Sequence, residues 1–224
     1  MDSNRRTARV QGGATWADVD GATHAHGLAT PSGIISTTGV GGLTLGGGHG
    51  YLSRKYGLTI DNLLEAEVVL ADGRAVTASE SEHPDLFWAL RGGGGNFGVV
   101  TSFTFRLHPL HNVICGPTAW PASVTADILG WFRDFIPAQD EDLYGFFAIM
   151  TVPPAPPFPE DFHLQKACAV VWCYTGDPAQ ADAAGELSAP AACRRPDGWC
   201  GEPTGPQFRM KPLSRMPPAN ATSW

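Results

Sequence analysis

The chain has 224 residues, of which 43% are hydrophobic, and its formal net charge is −7. This length supports one large domain or two small domains with apolar cores. The negative charge and the lack of any Lys/Arg block argue against a nucleic-acid or anionic-membrane surface. No stretch approaches the roughly 18 apolar residues of a membrane span. We therefore expect a cytoplasmic protein that binds a small molecule.

The cysteines include no Cys-x-x-Cys pair and are odd in number, which argues against a zinc site and against a complete disulfide framework. We expect free, mostly buried thiols at Cys115, Cys168, Cys173, Cys193 and Cys200. The histidine pairs at 24/26 and 108/111 have no cysteine or carboxylate beside them at ligand spacing. The sequence therefore predicts no metal site.

The first hundred residues predict short regular elements between glycine-rich loops. Residues 9–14 are typical of a short strand that ends in a glycine turn. Thr15 then stands as the N-cap of a helix whose apolar positions are helically spaced and which ends at Gly27. Loop structure is expected to dominate residues 31–50.

The next predicted elements are a β-hairpin, a helix and a strand. Residues 62–77 alternate and break at Asp72-Gly73, the signal of a hairpin with a two-residue turn. Pro84 stands near the first position of a short helix that ends at Gly92. Residues 99–108 alternate and are β-branched and aromatic, which predicts a strand.

The second half of the chain predicts a small α+β unit in the order βαββα. Strands are expected at 113–120, 143–152 and 164–174, with a helix at 123–136 and a further helix that starts at Asp177-Pro178. The apolar face of the first of these helices is formed by Val124, Ile128, Trp131, Phe132 and Phe135. Residues 185–224 have neither a two-residue nor a 3.6-residue hydrophobic period, so we expect a poorly ordered or frame-shifted tail.

Two glycine clusters, residues 39–50 and 92–98, are the most informative feature of the sequence. Glycine costs the most backbone entropy on folding, so such runs indicate that a ligand approaches the main chain closely. Tight turns in a β scaffold would explain one cluster equally well. Two dense clusters favour a phosphate-bearing cofactor held by backbone N–H groups.

The second cluster formally matches the dinucleotide fingerprint G-x-G-x-x-G, but its context does not fit. That fingerprint follows a strand, opens a helix and has an acidic residue about 20 positions further on. Here a helix is predicted before it and a strand after it, and no Asp or Glu occurs between Val99 and Asp127. No lysine stands at the spacing of a Walker A loop. The prediction is therefore a loop-based site rather than a Rossmann site.

Five segments resemble the FAD-linked oxidases of the berberine bridge enzyme-like group, in the vanillyl-alcohol-oxidase superfamily with its PCMH-type FAD domain. They are Arg-Val-Gln-Gly-Gly-Ala-Thr-Trp at 9–16, Gly-Leu-Ala-Thr-Pro-Ser-Gly at 27–33, the first cluster from 38 to 50, Tyr-Gly-Leu-Thr-Ile-Asp-Asn-Leu-Leu at 56–64, and 84–101 around the second cluster.

The resemblance implies an α+β fold: part of a PCMH-type FAD-binding domain at residues 1–110, then part of an antiparallel α+β substrate domain at 111–184, before the tail at 185–224. It implies FAD held along the glycine loops. The residues carried over by motif are Gly39, Val40, Gly41, Gly42, Gly46, Gly47, Gly48, His49, Gly50, Asn96, Gly98, Val99 and Val100.

Some roles stay open within this resemblance. Asp61 and Asn62 are expected to orient the first loop rather than touch substrate. His49 is interpreted as a loop histidine that faces the cofactor, with a catalytic base as the alternative. Ile35 stands where some relatives carry a flavin-linking cysteine, so FAD is expected to be non-covalent. The catalytic residues cannot be assigned from the sequence.

The resemblance also implies a chain truncated at both ends, without the segment that carries the histidine-linked flavin in relatives and without much of the substrate domain. The leading interpretation is an FAD-dependent oxidoreductase that transfers hydride from a small organic substrate to flavin, with reoxidation by dioxygen. The alternatives are a non-catalytic FAD-binding fragment and a subunit completed by another chain or by self-association through exposed apolar faces.

Overall fold

The protein contains two hydrophobic cores. A computed structural model describes residues 1–110, 113–155 and 160–177, together with the backbone of 208–209. The chain divides into two units between His111 and Asn112. Each core belongs to one unit. The glycine clusters both lie in the first.

The first unit contains a four-stranded antiparallel sheet in the order β1-β5-β3-β4. The strands are β1 (Thr7–Gln11), β3 (Leu63–Val69), β4 (Ala75–Ser79) and β5 (Val99–Arg106). A two-stranded sheet pairs β2 (Leu28–Ala29) with β6 (His108–Pro109). The predicted β-hairpin and the strand that follows the second cluster are thereby confirmed.

Two helices pack onto this core as their sequences predict. α1 (Trp16–His24) begins after the N-cap Thr15, whose backbone N–H and hydroxyl both donate to the Asp18 carboxylate, at 2.9 and 2.7 Å. The Trp16 ring is fully buried, with its centroid 5.5 Å from that of Phe105. α4 (Pro84–Gly93) has Pro84 in its first turn and loses helical geometry at Arg91 and Gly92.

The structure refines one local expectation and corrects another. Loop structure dominates residues 31–50 as expected, but the segment also contains a short helix, α2 (Val40–Leu45), and α3 (Ser53–Tyr56) follows it. The hairpin turn has three residues rather than two, because Leu70 N–H donates to Arg74 O at 2.9 Å. Gly73 has φ +83°, so the glycine supplies the left-handed residue of a turn with a bulge.

The second unit is an antiparallel sheet with one helix on a face. β7 (Ile114–Pro121), β8 (Leu143–Thr151), β9 (Lys166–Tyr174) and β10 (Phe208–Arg209) lie in the order β10-β7-β9-β8. α5 (Thr125–Phe135) presents the predicted apolar face, and its Trp131, Phe132 and Phe135 rings pack around Trp172. The order βαββ is as predicted.

Parts of the prediction fall outside the described residues. The helix expected from Asp177-Pro178 and the tail expected at 185–224 lie there, except for the backbone of β10. Within the ranges that are described, no helix is long and apolar enough to cross a bilayer.

Candidate functional site

The two glycine clusters meet in space. α2, which lies inside the first cluster, packs against α4 and against the 3-10 turn Gly94–Phe97 of the second cluster. Residues about fifty positions apart in sequence therefore form one surface. A single ligand can lie against both.

An ion pair joins the segments that flank the clusters. Arg91, at the point where α4 loses helical geometry, donates to Asp61 Oδ1 at 3.1 Å. The other carboxylate oxygen of Asp61 accepts the Leu58 backbone N–H at 2.9 Å. Asp61 therefore links the two flanking segments, and its role in orienting the first loop stays a prediction.

Asn62 fixes the chain that leaves the first cluster. It is 2% exposed, and its Nδ2 donates to the carbonyls of Tyr56 and Leu58, both at 2.9 Å. Its Oδ1 accepts from Nε2 of His108 at 2.6 Å, so the His108 ring carries its proton at Nε2. The same ring stacks on Tyr56 with centroids 4.0 Å apart.

The charge state of His108 suits this arrangement. Partial burial, with further repulsion from Arg106 and Arg6, lowers the pKa of His108 below its ordinary value of 6.5. The imidazole is therefore neutral at neutral pH and serves as a packed hydrogen-bond donor. Nothing in the sequence pairs His108 with Asn62, since 46 positions separate them.

Some glycines of the clusters are required by the fold itself. A Cβ on Gly98 would lie 2.6 Å from the carbonyl oxygen of Val69, and Gly98 has φ +149°. A Cβ on Gly48 would collide with the Thr59 side chain, and one on Gly50 would collide with the Gly33 backbone. These positions are explained by packing within the chain.

Other glycines have no such internal reason. A Cβ on Gly39, Gly42 or Gly95 would meet no heavy atom within 4 Å, none of the three has a positive φ, and all three are exposed. Gly39 and Gly42 belong to the first cluster and Gly95 to the second. Bare backbone on both sides of one surface fits a flat, phosphate-bearing group that lies directly on the main chain. The residues present therefore fit FAD.

The remaining predicted site residues differ in what they can offer a ligand. Val40 is fully buried and its N–H donates to Ala14 O at 2.9 Å, so neither its side chain nor its N–H faces outward. Val99 is 70% exposed at the start of β5, whereas Val100 packs partly on the core. Gly46, His49 and Asn96 are exposed, Gly41 is half-buried and Gly47 is buried.

A third segment also borders the site, although the sequence analysis did not assign it there. The glycine turn after β1 brings Gly12 O to 3.1 Å from the place of a Cβ on Gly41. Ala14 in the same turn accepts the Val40 N–H. The Gly-Gly-Ala turn was visible in the sequence, but its contact with the first cluster depends on the packing of α2. Among the described residues, no cluster of three or more His, Cys, Asp or Glu could hold a metal ion.

Comparison with known proteins defines the class of protein. Residues 1–79 match the family model of the FAD binding domain. This confirms the resemblance, and with it FAD as the cofactor of this domain and the α+β fold. Residues 1–79 therefore resemble an FAD binding domain, and the proteins similar to this chain include FAD-linked oxidoreductases and berberine bridge enzyme-like proteins.

Three relatives illustrate the similarity. An FAD-linked oxidoreductase of Aspergillus terreus is 49% identical over 120 residues, which are 54% of this chain and 23% of that protein. The crystal structure of 6-hydroxy-D-nicotine oxidase from Arthrobacter nicotinovorans matches with TM-score 0.72 and 31% identity over 84% of this chain and 40% of that one. The berberine bridge enzyme-like protein 28 of Arabidopsis thaliana matches with TM-score 0.73 and 30% identity over 88% and 39%. This chain therefore spans less than half of each relative's length.

Proposed function

We propose that the chain supplies the backbone cradle of an FAD-dependent oxidoreductase, in which hydride passes from a small organic substrate to the flavin and dioxygen then reoxidises it. The observation that carries the proposal is the shared surface of Gly39, Gly42 and Gly95, where exposed backbone has no internal reason to lack side chains. The similarity to a nicotine oxidase supports an organic substrate of small size.

The chain's own residues contribute binding and orientation. Exposed backbone of Gly39, Gly42 and Gly46 would hold one side of the cofactor, and the turn with Asn96 would contact it from the second cluster. The ion pair between Asp61 and Arg91 and the Asn62–His108 bond hold these loops in register. Preorganised loops lose little entropy on binding, which increases affinity.

We further propose that FAD is bound without a covalent link at position 35. Ile35 is 47% exposed. The resemblance aligns it with the flavin-linking cysteine of some relatives. An aliphatic side chain offers no nucleophile for attachment. Denaturation of the flavin-loaded protein followed by ultrafiltration should release all of the FAD.

Titration of FAD into the purified full chain tests the proposal. We expect quenching of flavin fluorescence with saturation, a yellow protein after gel filtration, and bleaching near 450 nm with an oxidisable substrate. A panel of small alcohols, amines and sugars, read by dioxygen uptake, identifies the substrate class. A colourless protein that leaves flavin fluorescence unchanged at every FAD concentration refutes it.

A second candidate is a flavin-binding chain that another polypeptide completes. Trp88 on α4 is 78% exposed, and Val99 and Phe97 near the second cluster are 70% and 41% exposed. Apolar side chains this accessible are typical of a surface that another chain covers. FAD binding that occurs only after co-expression with that polypeptide, and not with the chain alone, distinguishes this candidate from the first.

A further inference from the structure

Two cysteines of the second unit lie directly opposite each other. In the antiparallel register of β7 and β9, Cys115 is the partner of Cys173, between the pairs Ile114–Tyr174 and Gly116–Trp172. Directly opposed residues have Cα atoms about 4.5–5.5 Å apart, and a disulfide requires about 4.4–6.8 Å. The backbone is therefore already at disulfide distance.

The side chains of this pair share one face of the sheet. Their thiols are within hydrogen-bonding reach of each other, and this contact, together with burial, holds the pKa of Cys173 well above its usual range. Cys173 is fully buried, whereas Cys115 is half-buried. Only Cys115 of the two is accessible to a small reagent.

We propose that Cys115 and Cys173 form a dithiol site that hydrogen peroxide oxidises to a cross-strand disulfide. Cys115 sulfur attacks one peroxide oxygen, the O–O bond breaks, a sulfenic acid forms and the first water leaves. Cys173 sulfur then attacks the Cys115 sulfur, the S–S bond forms, the S–O bond breaks and a second water leaves. Two thiols lose two electrons, and the peroxide is reduced to two waters.

The third described cysteine provides a matched control on the same strand. Cys168 is also fully buried in β9, five positions before Cys173, so its side chain points to the opposite face of the sheet. Its register partners are Trp120 and Ile149, and neither carries a thiol. A thiol in the same strand with the same burial should therefore not cross-link.

The proposal is independent of the proposed function, because the test uses added hydrogen peroxide. The protein used for the test is the full chain with the substitutions Cys193→Ser and Cys200→Ser, which leave three thiols. After peroxide treatment and denaturation we expect the free thiol count to fall from three to one and to return with dithiothreitol. Trypsin should release residues 107–133 joined to residues 167–194, and the joined peptides should be found in monomeric protein.

Single cysteine-to-serine variants identify which two residues form the disulfide. Cys168→Ser should keep the link, whereas Cys173→Ser and Cys115→Ser should each abolish it, with far-ultraviolet circular dichroism as the folding control. If Cys173→Ser fails to fold, the half-buried Cys115→Ser variant carries the comparison. A link that persists in Cys173→Ser, a link found only between molecules, or Cys115 converted to sulfinic acid with no link overturns the proposal.

Discussion

Replacing Gly42 with alanine separates a ligand-contact glycine from a structural one. Gly42 lies in α2, is exposed, and would place a Cβ at least 4 Å from every other heavy atom outside its own helix. The methyl group therefore meets nothing within the chain. Alanine in place of glycine in a helix stabilises it by about 0.5–1 kcal/mol.

The matched control is Gly21→Ala in α1, which is also helical and exposed with nothing near its Cβ, but lies outside both clusters. Both variants should raise the thermal midpoint by about 1–4 °C. A methyl group between the backbone and a bound cofactor should cost about 1–3 kcal/mol of binding, as overpacking does. That loss corresponds to FAD affinity weaker by about 5- to 150-fold in Gly42→Ala alone.

Differential scanning fluorimetry without flavin and fluorescence titration with FAD measure the two effects separately. The cradle interpretation requires Gly42→Ala to be as stable as Gly21→Ala but to bind FAD more weakly. Equal FAD affinity in the two variants refutes the reasoning, because Gly42 would then have no ligand beside it.

Other predictions concern packing, loop orientation and pH. Gly98→Ala should destabilise the first unit by about 2 kcal/mol or more, since its Cβ would lie 2.6 Å from Val69 O at a φ of +149°, and chemical denaturation measures this. Arg91→Gln breaks an ion pair whose side chains are 36% and 47% exposed, so it should change stability by less than about 1 kcal/mol while it weakens FAD binding severalfold in titration. Burial raises the pKa of Asp20 from 3.8 to about 6. The protonated carboxyl group therefore contributes its full stability below pH 3.8, and this stability is lost as the pH rises through 6. Asp20→Asn should stabilise the protein at pH 7 by about 1–3 kcal/mol and have little effect at pH 4. His108→Gln keeps a donor for the Asn62 oxygen but cannot titrate, so the wild-type protein should lose stability relative to this variant as the pH falls below 6.5.

Each of these has its own control or contrary outcome. Gly130→Ala, in the middle of α5 with an open Cβ, controls for Gly98→Ala and should be neutral or stabilising. An Arg91→Gln variant with unchanged FAD affinity would show that the ion pair does not orient the loops. Unfolding curves at pH 4 and pH 7 decide the Asp20 case, and a stability difference that is equal at both values contradicts it. For His108, parallel stability profiles of wild type and variant between pH 5 and 7 would contradict the lowered pKa.

Hydrophobic spacing predicts the elements that are held by their own pattern. α5 and β9 appear where their periodicities place them, because each buries a continuous apolar face. α2 was missed for a physical reason. Two of its six residues are glycine, which disfavours helix, and it forms because Val40, Thr44 and Leu45 are buried in the core.

The candidate site likewise has features that the sequence shows and features that only the fold shows. The clusters themselves are visible in the sequence, since glycine runs are local. The contacts that orient them are not, because Arg91 reaches Asp61 across 30 positions and His108 reaches Asn62 across 46. Nor could the sequence separate Gly98, which the fold requires, from Gly42, which it does not. That distinction depends on the distance to Val69, at the end of β3.

The three hydrogen bonds of Asn62 make the first unit depend on the chemical integrity of one amide group. Spontaneous deamidation converts the side chain to aspartate, with almost the same shape but with an oxygen in place of the amide nitrogen. The carbonyls of Tyr56 and Leu58, which now accept from that nitrogen, would each face an anion at about 2.9 Å. Burial and these bonds protect the amide in the folded protein, so the reaction would follow local unfolding of this segment. The lesion adds a single mass unit and would keep the segment after the first cluster from returning to its place, so a deamidated fraction should lose capacity for FAD before it loses helix content.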